Sequence, residues 1–159
     1  PLITNPLTNL KAAPFYGCYI LRPSQMLGID ENPGREQCLE QLIELCGAEP
    51  VNFPGRNQCC GFPLLLINER NSLAMVGNHT HSAKEHGANA MVTPCPLCHL
   101  NLDGFQPKAQ AQKGIKLNMP ILHLSQMLGL AMGMGEKELG LQRHIVSTKQ
   151  IVEQASVHV

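Results

Sequence analysis

Gly87-Ala88-Asn89-Ala90-Met91-Val92-Thr93-Pro94-Cys95-Pro96-Leu97-Cys98 decides how this chain is read. Gly87 stops a helix predicted over residues 71–86. Ala90–Thr93 is a short apolar run, the length of a strand covered on both faces. Pro96 suits the first turn of a helix, where no backbone N–H is needed. A strand therefore runs directly into a helix, with Cys95 at the cap and Cys98 in the first turn. The positive end of the helix dipole favours thiolate there.

The same alternation extends in both directions. Residues 12–19, with Ile20 and Leu21, read as a strand ending near Cys18. Residues 33–46 form a helix with Leu39, Leu42, Ile43 and Cys46 on one face, and Gly47 stops it. Residues 49–53 are a second strand. The loop after it holds Pro54, Gly55, Asn57 and Gly61 and carries Cys59 and Cys60. Beyond Cys98 a helix over 97–112 runs on past Gly104 and Pro107. Residues 120–124 are a fourth strand, and Ser125 caps a helix over 126–132. After the Gly-rich break MGMGEKELG, residues 144–154 form a last helix with a frayed polar tail. This βα rhythm predicts an α/β fold: a parallel four-stranded sheet with helices on both faces. Sites in such sheets form at the carboxyl ends of the strands, and Cys18, Cys59, Cys60 and Cys95 each follow one, so a metal site is expected there.

Five of the seven cysteines fall in the pattern C-x40-CCG-x33-CPLC, at Cys18, Cys59, Cys60, Cys95 and Cys98. One tetrahedral zinc needs four ligands, and a catalytic thiol needs one. Adjacent side chains such as Cys59 and Cys60 point apart and do not close easily on one small ion, but they can reach two irons of a cluster. Gly61 would let the backbone approach such a group without a Cβ in the way. An odd number of cysteines and no export signal indicate a reducing compartment, where clustered thiols are metal ligands or redox groups more often than disulfides. Cys38 and Cys46, on or beside the apolar helix face of CLEQLIELC, read as core residues.

Other classes are excluded by composition. Twelve basic and twelve acidic side chains cancel, and aromatic residues make up 4% of the chain. With no basic stripe, a nucleic-acid surface is not expected. No apolar run approaches the roughly 18 residues of a membrane span. The 159 residues suit one domain, and the chain begins with Pro rather than Met, so we read it as a piece of something longer. His99, next to CPLC, is a hydrogen-bond or proton donor, an unusual ligand, or a capping side chain. His79, His81 and His86 read as surface residues on a solvated helix. Tyr16 and Arg22 flank Cys18, and either can border a substrate.

C…CCG…CPxC resembles the signature of the CCG (cysteine-rich) domain family. The likeness continues in PFYGCYILRP (14–23), LIELCGAEPVNFPGRNQCCG (42–61), GANAMVTPCPLCHLNLD (87–103) and MPILHLSQMLGLAMG (119–133). It spans about Lys11–Met134 and is similar to the C-terminal repeat of the B-type subunit of heterodisulfide reductase and of the E-type subunit of succinate:quinone reductase. The gap between Cys18 and Cys59 is about one residue longer than the usual family range. The resemblance implies one CCG domain over residues 1–159, with a core of about 11–134 and a helical tail over 135–159, forming the C-terminal half of a two-repeat subunit. It implies a non-cubane [4Fe-4S] cluster held by Cys18, Cys59, Cys60, Cys95 and Cys98, with Gly61 and His99 around it.

The function so implied is electron transfer to or from a thiol/disulfide or quinone-linked acceptor, as part of an oxidoreductase that this piece does not complete. The expected partners are an N-terminal CCG repeat and an iron–sulfur or flavin subunit. The expected location is the cytoplasm, with any membrane association through a partner. Two alternatives come from other classes. One is a zinc-stabilised interaction module using Cys18, Cys95, Cys98 and one of the CC pair or His99. The other is a metal-free thiol–disulfide oxidoreductase using Cys95 and Cys98.

Overall fold

The computed structural model describes residues 2–32 and 34–156. Four strands form one parallel sheet: β1 (Lys11–Pro14), β2 (Glu49–Pro50), β3 (Ala90–Thr93) and β4 (Ile121–His123), in the order β2-β1-β3-β4. Ala12 pairs with Pro50 on one side and with Ala90 on the other, and Met91 pairs with Ile121. The helices are α1 (Cys38–Leu45), α2 (Glu69–Glu85), α3 (Pro96–Gly104), α4 (Gln106–Lys113), α5 (Leu124–Ala131) and α6 (Lys149–Ser156). This is the α/β architecture that the alternating pattern predicts.

Alternation along the strands divides the core in two. Ala12, Ala90, Val92 and Leu122 face a cluster closed by Leu39 and Ile43 of α1, Met127 and Leu130 of α5, and Ile151 and Ala155 of α6. Ala13, Met91 and Ile121 face a second cluster with Leu73 and Val76 of α2, Cys98 and Leu102 of α3, and Ala109 of α4. Helices therefore cover both faces. The central strand β3 is short, apolar and buried throughout, as strands covered on both sides are, while the edge strand β2 is Glu-Pro with Glu49 exposed. The chain leaves β1 toward β2 on one side, and β3 toward β4 on the other. The crevice between the carboxyl ends of β1 and β3 is thus the topological switch point, where ligands bind in open α/β sheets.

Five elements differ from the sequence reading, the shortest change being β2, which ends at Pro50 rather than at residue 53. β1 stops at Pro14, and the residues expected to extend it form turns instead. Gly17 takes φ +72° there, a left-handed conformation incompatible with a strand. The helix expected over 33–46 is a 3-10 turn over Arg35–Gln37 followed by α1, and Pro33 lies outside the described residues. The helix expected over 97–112 is broken at Phe105 into α3 and α4, with Pro107 in the first turn of the second. The last helix begins at Lys149, five residues later than expected, and residues 157–159 of its tail lie outside the described residues. His123 rather than Ser125 caps α5. Its Nδ1 accepts from the Ser125 N–H at 3.4 Å, while Gln126 Oε1 accepts from the His123 N–H at 2.9 Å.

Candidate metal centre

Cys18 lies four residues past β1, Cys95 two past β3, and Cys59 and Cys60 on the loop between β2 and α2. The Cys95 N–H donates to Thr93 Oγ1 at 3.3 Å, which turns the chain into α3. Pro96 opens that helix and places Cys98 in its first turn. Cys60 and Cys98 are buried; Cys18, Cys59 and Cys95 are half-buried. The thiols perturb one another in sequence across the crevice, Cys18 with Cys59, Cys59 with Cys60, Cys60 with Cys98, and Cys98 with Cys95. The hydrogen bond from Cys98 holds the Cys60 thiol down to about 7, against burial, with the Phe62 N–H helping at 3.5 Å. The same bond, together with burial, pushes the Cys98 thiol up. Burial raises Cys18 as well, and Cys59 beside it adds to this. Among the described residues, no group of three or more His, Cys, Asp or Glu is placed to hold one metal ion.

The loops carrying the thiols are held from behind. Tyr16 is fully buried, not at a substrate border. Its hydroxyl donates to Glu40 Oε2 and accepts from the Leu39 N–H at 2.9 Å, and burial with the Glu40 bond raises its pKa. Glu40 also pairs with Arg56 on the CC loop, and the Tyr16 N–H donates to the Arg56 carbonyl at 2.8 Å. Arg22 Nη2 donates to the Asn57 carbonyl at 3.2 Å, so the chain is tied to the CC loop on both sides of Cys18. Gly61 has φ +92°, and a Cβ there would lie 3.1 Å from the Ser72 carbonyl oxygen. Its freedom from a side chain serves the packing of this loop on α2.

The model of the cysteine-rich domain, CCG, matches residues 12–103 of this chain, which include all five cysteines of the constellation. The chain belongs to the CCG family. This CCG domain is 39% identical over 149 residues to the 8-methylmenaquinol:fumarate reductase membrane anchor subunit of Wolinella succinogenes, covering 94% of the chain and 52% of that protein. It is 34% identical over 148 residues to the B-type subunit of the ferredoxin:CoB-CoM heterodisulfide reductase of Methanosarcina mazei, covering 91% of the chain and 48% of that protein. The chain thus spans about half the length of the curated relatives it matches. A hypothetical protein from Helicobacter pylori has the same fold, with a TM-score of 0.68 at 20% identity over 92% of this chain and 26% of that one.

Two side chains of the CCG domain escaped the sequence reading. His79 is buried rather than solvated: its ring lies 5.2 Å from that of Phe15, and its Nε2 is 2.9 Å from the Cys59 carbonyl oxygen. Asn101 is fully buried, and its Nδ2 donates to the Cys60 carbonyl at 2.8 Å. His79 stands three residues after Val76 and four before Ala83, on the buried face of α2, and Asn101 stands three after Cys98 on α3. That spacing was a usable signal for both. His86 is exposed, as expected, and His81 is half-buried and paired to Glu85 at 3.3 Å. His99 turns to β4, its Nε2 3.2 Å from the carbonyl oxygen of the first strand residue, Ile121, and its ring 4.8 Å from that of His144.

Burial holds His79, His99 and His144 below the ordinary imidazole value of 6.5. Below about pH 6.5 the unfolded chain then takes up protons that the fold refuses, so stability is present above that pH and falls as acid is added. The urea midpoint of the metal-free domain is expected to be lower at about pH 5.5 than at about pH 7.5. An equal or higher midpoint in acid would contradict the neutral, buried state of these rings.

Proposed function

We propose that this chain is the C-terminal CCG half of a redox subunit and holds a [4Fe-4S] cluster through Cys18, Cys59, Cys60, Cys95 and Cys98. The observation that carries this reading is the meeting of five thiols from three loops in one interacting run at the switch point of the sheet. The donor set fits the group chemically: all sulfur, with the Gly61 and Phe62 N–H groups directed at Cys59 and Cys60 sulfurs at 3.4 and 3.5 Å. Bound there, such a cluster supplies one-electron transfer. The residues of the chain do the rest. Buried Cys60 and Cys98 keep water from the inner side, and N–H donors stabilise negative charge on sulfur.

The reaction we assign is electron transfer to or from a thiol/disulfide or quinone-linked acceptor, in keeping with the activities named for the two relatives. Because the chain spans about half of each, an N-terminal CCG repeat of the same subunit is the first partner, and an iron–sulfur or flavin subunit the second. Leu66, Ile67, Leu97 and Leu100, all exposed on the segments after CCG and around CPLC, provide apolar surface for such contacts. No helix among the described residues is long and apolar enough to cross a membrane. We assign the domain to the cytoplasmic side, with any membrane attachment through a partner.

Iron, zinc and acid-labile sulfide per chain, with the visible spectrum, test this on anaerobically purified protein. Roughly four irons and as many sulfides are expected. About one zinc without sulfide would replace the reading with the structural zinc module. Metal-free protein that reduces a generic disulfide through Cys95 and Cys98 would replace it with the dithiol enzyme.

A further inference from the structure

Cys59 and Cys60 lie in an irregular loop, yet both of their carbonyls are engaged, each by a side chain from a different helix. His79 of α2 reaches the Cys59 carbonyl at 2.9 Å, and Asn101 of α3 donates to the Cys60 carbonyl at 2.8 Å. A trans peptide is planar, so its C=O and N–H point in opposite directions. Fixing the Cys59 carbonyl therefore fixes the Cys60 N–H, and fixing the Cys60 carbonyl fixes the Gly61 N–H. Both N–H groups face sulfur. The Gly61 nitrogen is 3.4 Å from Cys59 Sγ, and the Cys60 N–H bears on its own Sγ.

Both side chains sit in built positions. His79 is 9% exposed, and it fits because position 55 is Gly, where a Cβ would come within 2.7 Å of His79 Nδ1. Asn101 is 0% exposed, makes a second bond to Ser72 Oγ at 3.4 Å, and leaves its Oδ1 without a partner. Turning the amide over would set Oδ1 against the Cys60 carbonyl oxygen, so the donor side must face the loop. A buried amide with one end unpaired calls for a reason, and the bond from its other end to the Cys60 carbonyl supplies one.

We propose that His79 and Asn101 are positioning residues that clamp the two peptides of the CC pair, aim the Cys60 and Gly61 N–H groups at sulfur, and thereby set the reduction potential of the iron–sulfur centre. The potential rests on the function proposed above; the clamp itself does not. Hydrogen bonds to cluster sulfurs tune potential, and donors stabilise the more negative, reduced state. Each N–H lost from this set shifts the potential downward.

The test compares the full chain with His79→Phe, His79→Gln and Asn101→Leu. In metal-free protein, amide hydrogen exchange is followed by NMR. His79→Phe is expected to speed exchange at Cys60, and Asn101→Leu at Gly61, with each effect confined to its own peptide. His79→Gln, which keeps a donor near the Nε2 position, is expected to retain slow exchange. In anaerobically reconstituted protein, redox titration is expected to give a lower midpoint potential for His79→Phe and Asn101→Leu, and one near wild type for His79→Gln. Unchanged exchange at both amides, or unchanged potentials in loaded variants, would overturn the proposal. If the Phe and Leu variants do not fold, His79→Gln decides: fast exchange at Cys60 despite the retained donor would overturn it. A wild-type chain that binds no iron would remove the proposed function and leave the exchange result to stand.

Discussion

Cys60→Ser is expected to abolish iron retention while leaving the metal-free domain folded. The Cys60 sulfur is the middle of the thiol run, interacting with Cys59 on one side and Cys98 on the other, in a buried position. A serine oxygen there is a harder and shorter donor than a thiolate, poorly matched to an iron–sulfur centre. It still accepts from the Phe62 N–H, so the loop keeps its backbone path and the stability loss is about 1 kcal/mol. Cys46→Ser should behave in the opposite way. Cys46 is fully buried among Leu7, Leu39 and Ile43, and a hydroxyl without a partner there costs about 1–3 kcal/mol. Because the α1 end is not part of the thiol run, its iron content should match the wild type. Iron per chain and urea midpoints on both variants check the pair. Iron loss that follows midpoint loss in both would mean that the five thiols matter only to folding.

The sheet was legible wherever both ends of an element carried a mark. β3 is bracketed by Gly87 before it and Pro94 and Pro96 after it, and its bounds agree with the sequence reading to the residue. The convergence of Cys18, Cys59, Cys60, Cys95 and Cys98 was legible too, because a parallel sheet carries every strand's carboxyl end to one edge. β1 was overextended for a physical reason. Phe15 and Tyr16 are fully buried beyond the strand, Phe15 against α2 and Tyr16 against α1, and burial in irregular chain gives the same apolar signal as burial in a strand. The carbonyl partners His79 and Asn101 were missed because a polar side chain on a helix reads as solvated. Their spacing from Val76, Ala83 and Cys98 marked the buried faces of α2 and α3, but their partners, the carbonyls of the CC loop lying across those helices, leave no trace in local periodicity. Tyr16 likewise pairs with Glu40, 24 residues away, and no local pattern reports such a bond.

Gly17→Ala is expected to remove most of the iron and to destabilise the fold, and the reason can be separated from ordinary glycine strain. Gly17 sits at φ +72°, and a left-handed alanine costs about 1–2 kcal/mol. That strain alone does not disturb the metal centre. At Gly17, however, the added Cβ would stand 2.7 Å from Cys98 Sγ, well inside van der Waals contact. Cys98 is 2% exposed and wedged between Cys60 and Cys95, so its sulfur cannot yield without leaving one of them. The turn after β1 must then move away instead, taking Cys18 with it. Gly87→Ala supplies the comparison. Gly87 has φ +92°, with nothing within 4 Å of its added Cβ, so it bears the strain without the clash. Both variants should lose stability of the same order through the backbone, with Gly17→Ala losing more, but only Gly17→Ala should lose iron. Iron and sulfide per chain, read beside thermal melts of the metal-free proteins, distinguish the two effects. Equal iron in both variants would mean that the turn after β1 can shift without disturbing the thiols, and that Cys98 does not depend on the close approach of Gly17.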